Sequence, residues 1–258
     1  MNLLRIAVTF IGAVGIWIGN GYLATEFFGE GYTMSGHVFR AISTAILVAV
    51  LLAIVLRAWP IDIGLRPKPR RLKLLGIGAL SYAVPCAIAG AIIVALSLAT
   101  LDVEPGRLWQ FLVVLVLVLL FEAIPEELIF RGVIYASLRT RLKAWVAIVI
   151  QALLFCAFGA LIGAAQTPDR LLLFFTMSIA LGIIRAATGS VYTTIGFHAA
   201  FQVLTQAIFN EQWDVATLVD PELWFRDVAF FLAPMVIAPL AVGIGTFLWT
   251  RNRVRAAS

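Results

Sequence analysis

From Leu74 to Leu101 the chain carries no Asp, Glu, Lys or Arg, and the same holds from Ile6 to Thr25 and from Ala144 to Pro168. A helix needs about 20 predominantly apolar residues to cross a bilayer, so each of these runs is long enough to span one. Composition decides that they do. Hydrophobic residues make up 62% of the 258 and charged residues 13%, whereas soluble domains are about 45–50% apolar and about 25% charged. The chain reads as an integral membrane protein. Disorder, a disulfide scaffold and an ordinary cytosolic enzyme are excluded. Cys86 and Cys156 both lie inside apolar runs, where thiols pack rather than pair.

Apolar runs between charge clusters give eight helices, at roughly 3–23, 39–57, 74–100, 107–138, 144–164, 170–187, 190–209 and 226–250. Arg5 before an apolar stretch resembles a signal peptide. Asn20-Gly21-Tyr22 is a poor cleavage site, however, and the first run reads as a retained span. The fold class is therefore all-α, a polytopic membrane helix bundle forming a single membrane domain over 1–258.

Charge sets the orientation. With the N-terminus cytoplasmic, the outer gaps hold four basic residues (Arg40, Arg107, Arg170, Arg226) against ten acidic ones, and the inner side holds thirteen basic residues against Asp62 alone. The positive-inside rule then puts both termini in the cytoplasm. Trp59, Trp145 and Trp249 fall at the inner interface, and Trp109, Trp213 and Trp224 at the outer one. The basic loop Arg66-Pro67-Lys68-Pro69-Arg70-Arg71 reads as a topology signal in contact with anionic lipid. Nucleic acid is not an expected partner. No internal repeat or phosphate loop is present.

What remains is a short list of groups that are costly inside a bilayer and therefore functional candidates. The fourth helix carries Glu122, Glu126, Glu127 and Arg131 within ten residues. Glu127 and Arg131, four apart with the acid first, can pair along one helical face; this pair reads as structural. Glu122 and Glu126 are also four apart. Stacked carboxylates in a low dielectric resist double ionisation, which suits a general base or a proton carrier. Pro125 removes a backbone hydrogen bond and is expected to kink the helix. On the seventh helix His198 and Gln202 share a face, and both can donate to an oxygen. At about 1.5 Å per residue, Glu126 and His198 lie roughly 19 Å and 12 Å from the inner ends of their helices, within reach of one cavity. His37 is assigned to the outer loop between the first two helices.

This constellation resembles the CPBP family of CAAX-protease and bacteriocin-processing intramembrane peptidases. The likeness covers at least 107–209, and the eight-helix layout fits it. The family's Glu-Glu-x-x-x-Arg motif is intact as Glu126-Glu127-Leu128-Ile129-Phe130-Arg131. Its Phe-x-x-x-His motif reads Phe155-Cys156-Ala157-Phe158-Gly159, without the histidine. Its His-x-x-x-Asn/Asp motif reads His198-Ala199-Ala200-Phe201-Gln202.

The resemblance implies that Glu126 activates water for attack on a peptide carbonyl. It implies that His198 and Gln202 stabilise the oxyanion, with Glu127 and Arg131 completing the site. Losing a positioned acid–base partner at Gly159 costs on the order of 10²–10⁴ in rate. Gly159 and Gly163 instead offer Gly-x-x-x-Gly helix packing. No cofactor is expected, and no metal either, because catalytic zinc takes about three protein ligands and the core offers one histidine.

Two functions follow. One is an intramembrane glutamate-type endopeptidase, weakened or inactive, that acts on a membrane-associated peptide or protein in a bacterial plasma membrane. The alternative is a non-proteolytic scaffold that binds a partner membrane protein or a lipid-like ligand. Membrane lipid is the surrounding partner in either case. A proton-coupled transporter using Glu122 and Glu126 is disfavoured by the lack of an inverted repeat.

Overall fold

The computed structural model describes residues 2–31, 33–65, 71–209, 213, 215–219 and 227–257, excepting the side chains of 216–219 and 247–257. Its described part is an all-α polytopic membrane bundle. The helices are α1 (Leu3–Phe28), α2 (Met34–Ala58), α3 (Arg71–Ala95), α4 (110–139), α5 (Ala144–Leu161), α6 (Pro168–Thr188), α7 (Val191–Phe209) and α8 (228–257). Six of them, α1, α2, α3, α5, α6 and α8, are long and apolar enough to cross a membrane. The other two, α4 and α7, are the ones that carry the ionisable motif residues. Ile11, Leu80, Leu112 and Leu172 point outward while Arg131, Glu127 and His198 are buried, the arrangement a lipid solvent favours.

The third helix is shorter than its apolar run suggests. It ends at Ala95; Ser97 follows in the left-handed region at φ 54°, and Thr100–Val103 forms a strand, β1. This pairs antiparallel with β2 (Ala216–Val219), Thr100 opposite Val219, tying the α3–α4 connection to the α7–α8 connection.

Helix positions are fixed by close approaches and buried polar contacts. A Cβ on Gly78 of α3 would meet the Thr193 carbonyl of α7, and one on Gly196 the Leu75 carbonyl of α3. Small residues let these backbones touch, and the contact lies two residues from His198. Asn20 donates to the Thr44 hydroxyl at 2.8 Å between α1 and α2. Arg5 donates to Ser137 Oγ at 2.7 Å and to the Trp59 carbonyl at 3.2 Å. That buried guanidinium draws the start of α1 and the ends of α2 and α4 together.

The same end gathers Arg57, Arg71, Lys73, Arg139, Arg141 and Lys143, from the ends of α2 and α4 and the starts of α3 and α5. We expect it to face the cytoplasm. A fusion reporter at the C-terminus should then be active only when it functions inside the cell, and a reporter active only outside would reverse the orientation. Arg66, Lys68, Arg70, Glu211, Asp214, Asp220, Glu222, Trp224 and Arg226, with the side chains of Trp249, Arg251, Arg253 and Arg255, lie outside the described residues.

Candidate active site

Pro125 does not simply kink α4. The helix accommodates it with α-helical Ile124–Glu127 set between π-helical segments Leu119–Ala123 and Leu128–Ile134. A proline cannot donate to the preceding turn, and widened π turns absorb such a defect. The two motif glutamates therefore sit on a four-residue α segment between two π segments.

Glu127 and Arg131 are both fully buried. Arg131 Nη1 donates to Glu127 Oε1 at 3.0 Å and Nη2 to Ser178 Oγ at 2.9 Å. Ser178 Oγ donates to Gln151 Oε1 at 3.3 Å, and Gln151 Nε2 donates to the carbonyls of Ile148 and Ser178 at 3.1 and 3.0 Å. The guanidinium carbon lies 4.7 Å from the centre of the Phe155 ring, a cation–π contact. A buried ion pair needs its remaining donors and acceptors satisfied to be tolerable. Here α5 and α6 supply much of that satisfaction.

Glu127 has a second partner, so reading the pair as only structural is incomplete. His198 Nδ1 lies 3.0 Å from Glu127 Oε1, and His198 Nε2 lies 3.9 Å from Glu126 Oε2. As the anionic partner of Arg131, Glu127 can only accept a hydrogen bond. Nδ1 is then the donor, and Nε2 is turned toward Glu126 to take or hold a proton. Arg131, Glu127, His198 and Glu126 form one chain of contacts across α4 and α7.

Other candidates lie outside that chain. Gln202 is half-buried and makes no side-chain hydrogen bond among the described residues. Glu122 lines a cavity of about 10 Å³ with His37, Gln206 and Trp213, room for about one water. Among the described residues its Oε2 has no hydrogen-bond partner, and the charge of Arg40 acts on it, that guanidinium lying 5.1 Å from the Phe121 ring centre. Two earlier assignments change here. His37 is in the first turn of α2, not in a loop, because Thr33 caps the helix four residues before it. Trp213 is buried against the cavity rather than anchoring at the interface.

Gly159 faces Phe174 of α6. A Cβ there would lie 2.5 and 2.6 Å from two Phe174 ring carbons and 3.1 Å from Ala165 Cβ. Gly163 takes no part in this packing: it lies past the end of α5 with φ 81° and an added Cβ would meet nothing. The Gly-x-x-x-Gly reading therefore fails, and Gly159 alone makes the close contact. Cys156 turns toward α6, its Sγ 3.7 Å from the Leu171 carbonyl. Substituting Gly159→His should lower the thermal stability of the detergent-solubilised protein by about 1–3 kcal/mol through overpacking. An unchanged melting temperature would mean that Phe174 yields the space freely.

Gln151, Ser178 and Arg185 were not singled out from the sequence. A lone amide in the apolar run around Gln151 was a usable signal by the rule applied to His198; Ser178 offered none. Among the described residues no group of His, Cys, Asp and Glu is placed to hold a metal. Residues 107–204 match the family model of type II CAAX prenyl endopeptidases, Rce1-like. No curated protein and no solved structure matches the chain.

Proposed function

We propose that this chain, whose residues 107–204 match the Rce1-like family model, is an intramembrane endopeptidase that hydrolyses a membrane-associated peptide in a bacterial plasma membrane. One observation carries this reading: His198 bridges Glu127 and Glu126, at 3.0 and 3.9 Å. A catalytic pair in which the imidazole is oriented by a third group is the general arrangement for acid–base work. Glu126 takes a proton from water as its oxygen adds to the peptide carbonyl carbon. The C–N bond then breaks as that proton passes to the leaving nitrogen, giving a carboxylic acid and an amine. His198 Nε2 lies beside Glu126 to share that proton. With Gly159 packed against Phe174, His198 is the imidazole within reach of Glu126 among the described residues.

A prenylated CAAX peptide, the substrate class in the family's name, is the natural probe. The double-mutant cycle of His198→Ala and Glu127→Gln tests the reading on it. If Glu127 works through His198, each single variant should lose most of the rate and the double variant little more. Independent, multiplying losses would break the link between the two residues.

The Gly159–Phe174 contact also favours a second reading, a scaffold that binds a partner membrane protein without cleaving it. Stoichiometric copurification of such a partner, with no hydrolysis of the CAAX peptide, would decide for the scaffold.

A further inference from the structure

Where α2, α4 and α6 end, a pocket of about 360 Å³ is lined by Ile61, Asp62, Tyr135, Arg139, Thr140 and Arg185, among others. The peptidase chemistry uses none of them. Arg185 is only 7% exposed, and its Nε donates to the Arg131 carbonyl at 3.0 Å. A guanidinium has five N–H donors, and those remaining on Arg185 meet no acceptor among the described residues. Its carbon sits 5.6 Å from the centre of the Tyr135 ring, so the fork is held from two sides. Arg139 adds a second cation, tethered by one nitrogen to the Leu142 carbonyl at 2.5 Å. Asp62 acts on Arg185 by its charge, and among the described lining residues two cations stand against one anion, so the lining is net positive.

The pocket's level is set by the ends of three helices, Ala58, Arg139 and Thr188, with Trp145 exposed nearby. Helix ends carrying Lys and Arg with an exposed Trp suit the boundary between hydrocarbon and headgroups. Guanidinium forks match phosphate oxygens in pairs, and a pocket of this size admits a headgroup rather than a bare ion. We propose that it binds the phosphate of an anionic phospholipid headgroup. The net positive charge disfavours a choline beside the phosphate, so a zwitterionic lipid should bind less well. The proposal is independent of whether the chain cleaves peptides.

The test uses the full chain in nanodiscs of phosphatidylcholine mixed with phosphatidylglycerol, released for native mass spectrometry. Retained phosphatidylglycerol should exceed phosphatidylcholine, and Arg139→Gln should lower that retention roughly fivefold, the effect of one basic side chain near a membrane surface. Arg139 is exposed, so this variant keeps the fold. Arg185→Lys, which keeps the charge and loses the fork, should also reduce retention. If inorganic phosphate at moderate concentration strips the lipid and stabilises the protein equally well, the site takes soluble phosphate rather than a headgroup, and the lipid assignment falls. Equal retention of both lipids, or no change in Arg139→Gln and Arg185→Lys, would also overturn it.

Discussion

Arg131→Ala is expected to destabilise the protein by about 3–5 kcal/mol, the cost of stripping the partner from a buried charge. Against a typical stability of about 5–15 kcal/mol, that is enough to deplete the folded fraction after extraction. Glu127 would stay fully buried, keeping His198 and the Thr194 side chain as its neighbours, and its Oε2 has no hydrogen-bond partner among the described residues. The loss extends further, because Ser178 Oγ loses its donor and Phe155 its cation. Glu122→Ala provides the comparison. Glu122 lies beside a water-sized cavity and outside the Arg131 network, so its removal should cost much less. Folded yield by size-exclusion chromatography, together with thermal unfolding, checks the ranking. Equal yields would mean that Glu127 finds another partner.

The bundle was legible in the sequence because a bilayer imposes a length on apolar runs and a price on charge. Eight helix positions and the polar pair in α4 followed from Leu74–Leu101 and similar runs, and from the spacing of Glu127 and Arg131. The ends were harder to read. Leu96–Leu101 is as apolar as the helix before it, and only its turn at Ser97 and its pairing with β2 make Thr100–Val103 a strand. His37 looked like a loop residue because the charge-free run begins after Arg40, yet Thr33 starts the helix earlier.

The site was partly legible for the same reasons. Helical spacing placed Glu126 and His198 each on its own helix, and depth brought them near. Spacing is blind to what crosses between helices. That His198 would bond Glu127 more closely than Glu126 depended on the Gly78 and Gly196 contacts that set α7 against α3. Gln151 and Ser178 reach Arg131 from α5 and α6, across sequence distances that no motif records. Phe174 could fill the space at Gly159 only because α5 and α6 pack side by side.

Hydrolysis of a prenylated CAAX peptide by the purified chain, against Glu126→Gln in the same lipid, tests the central claim most directly. The amide keeps the size and much of the hydrogen bonding of the carboxylate but cannot take a proton from water. Because His198 Nδ1 bonds Glu127 rather than Glu126, the imidazole should hold its place in this variant, and folded yield should match the parent. The rate should fall on the order of 10²–10⁴-fold, the range for losing a positioned base. Cleavage by the parent that disappears in well-folded Glu126→Gln is the predicted result. Equal rates in the two proteins would contradict the assignment of Glu126, and no cleavage by the parent would leave the bundle as a binding scaffold.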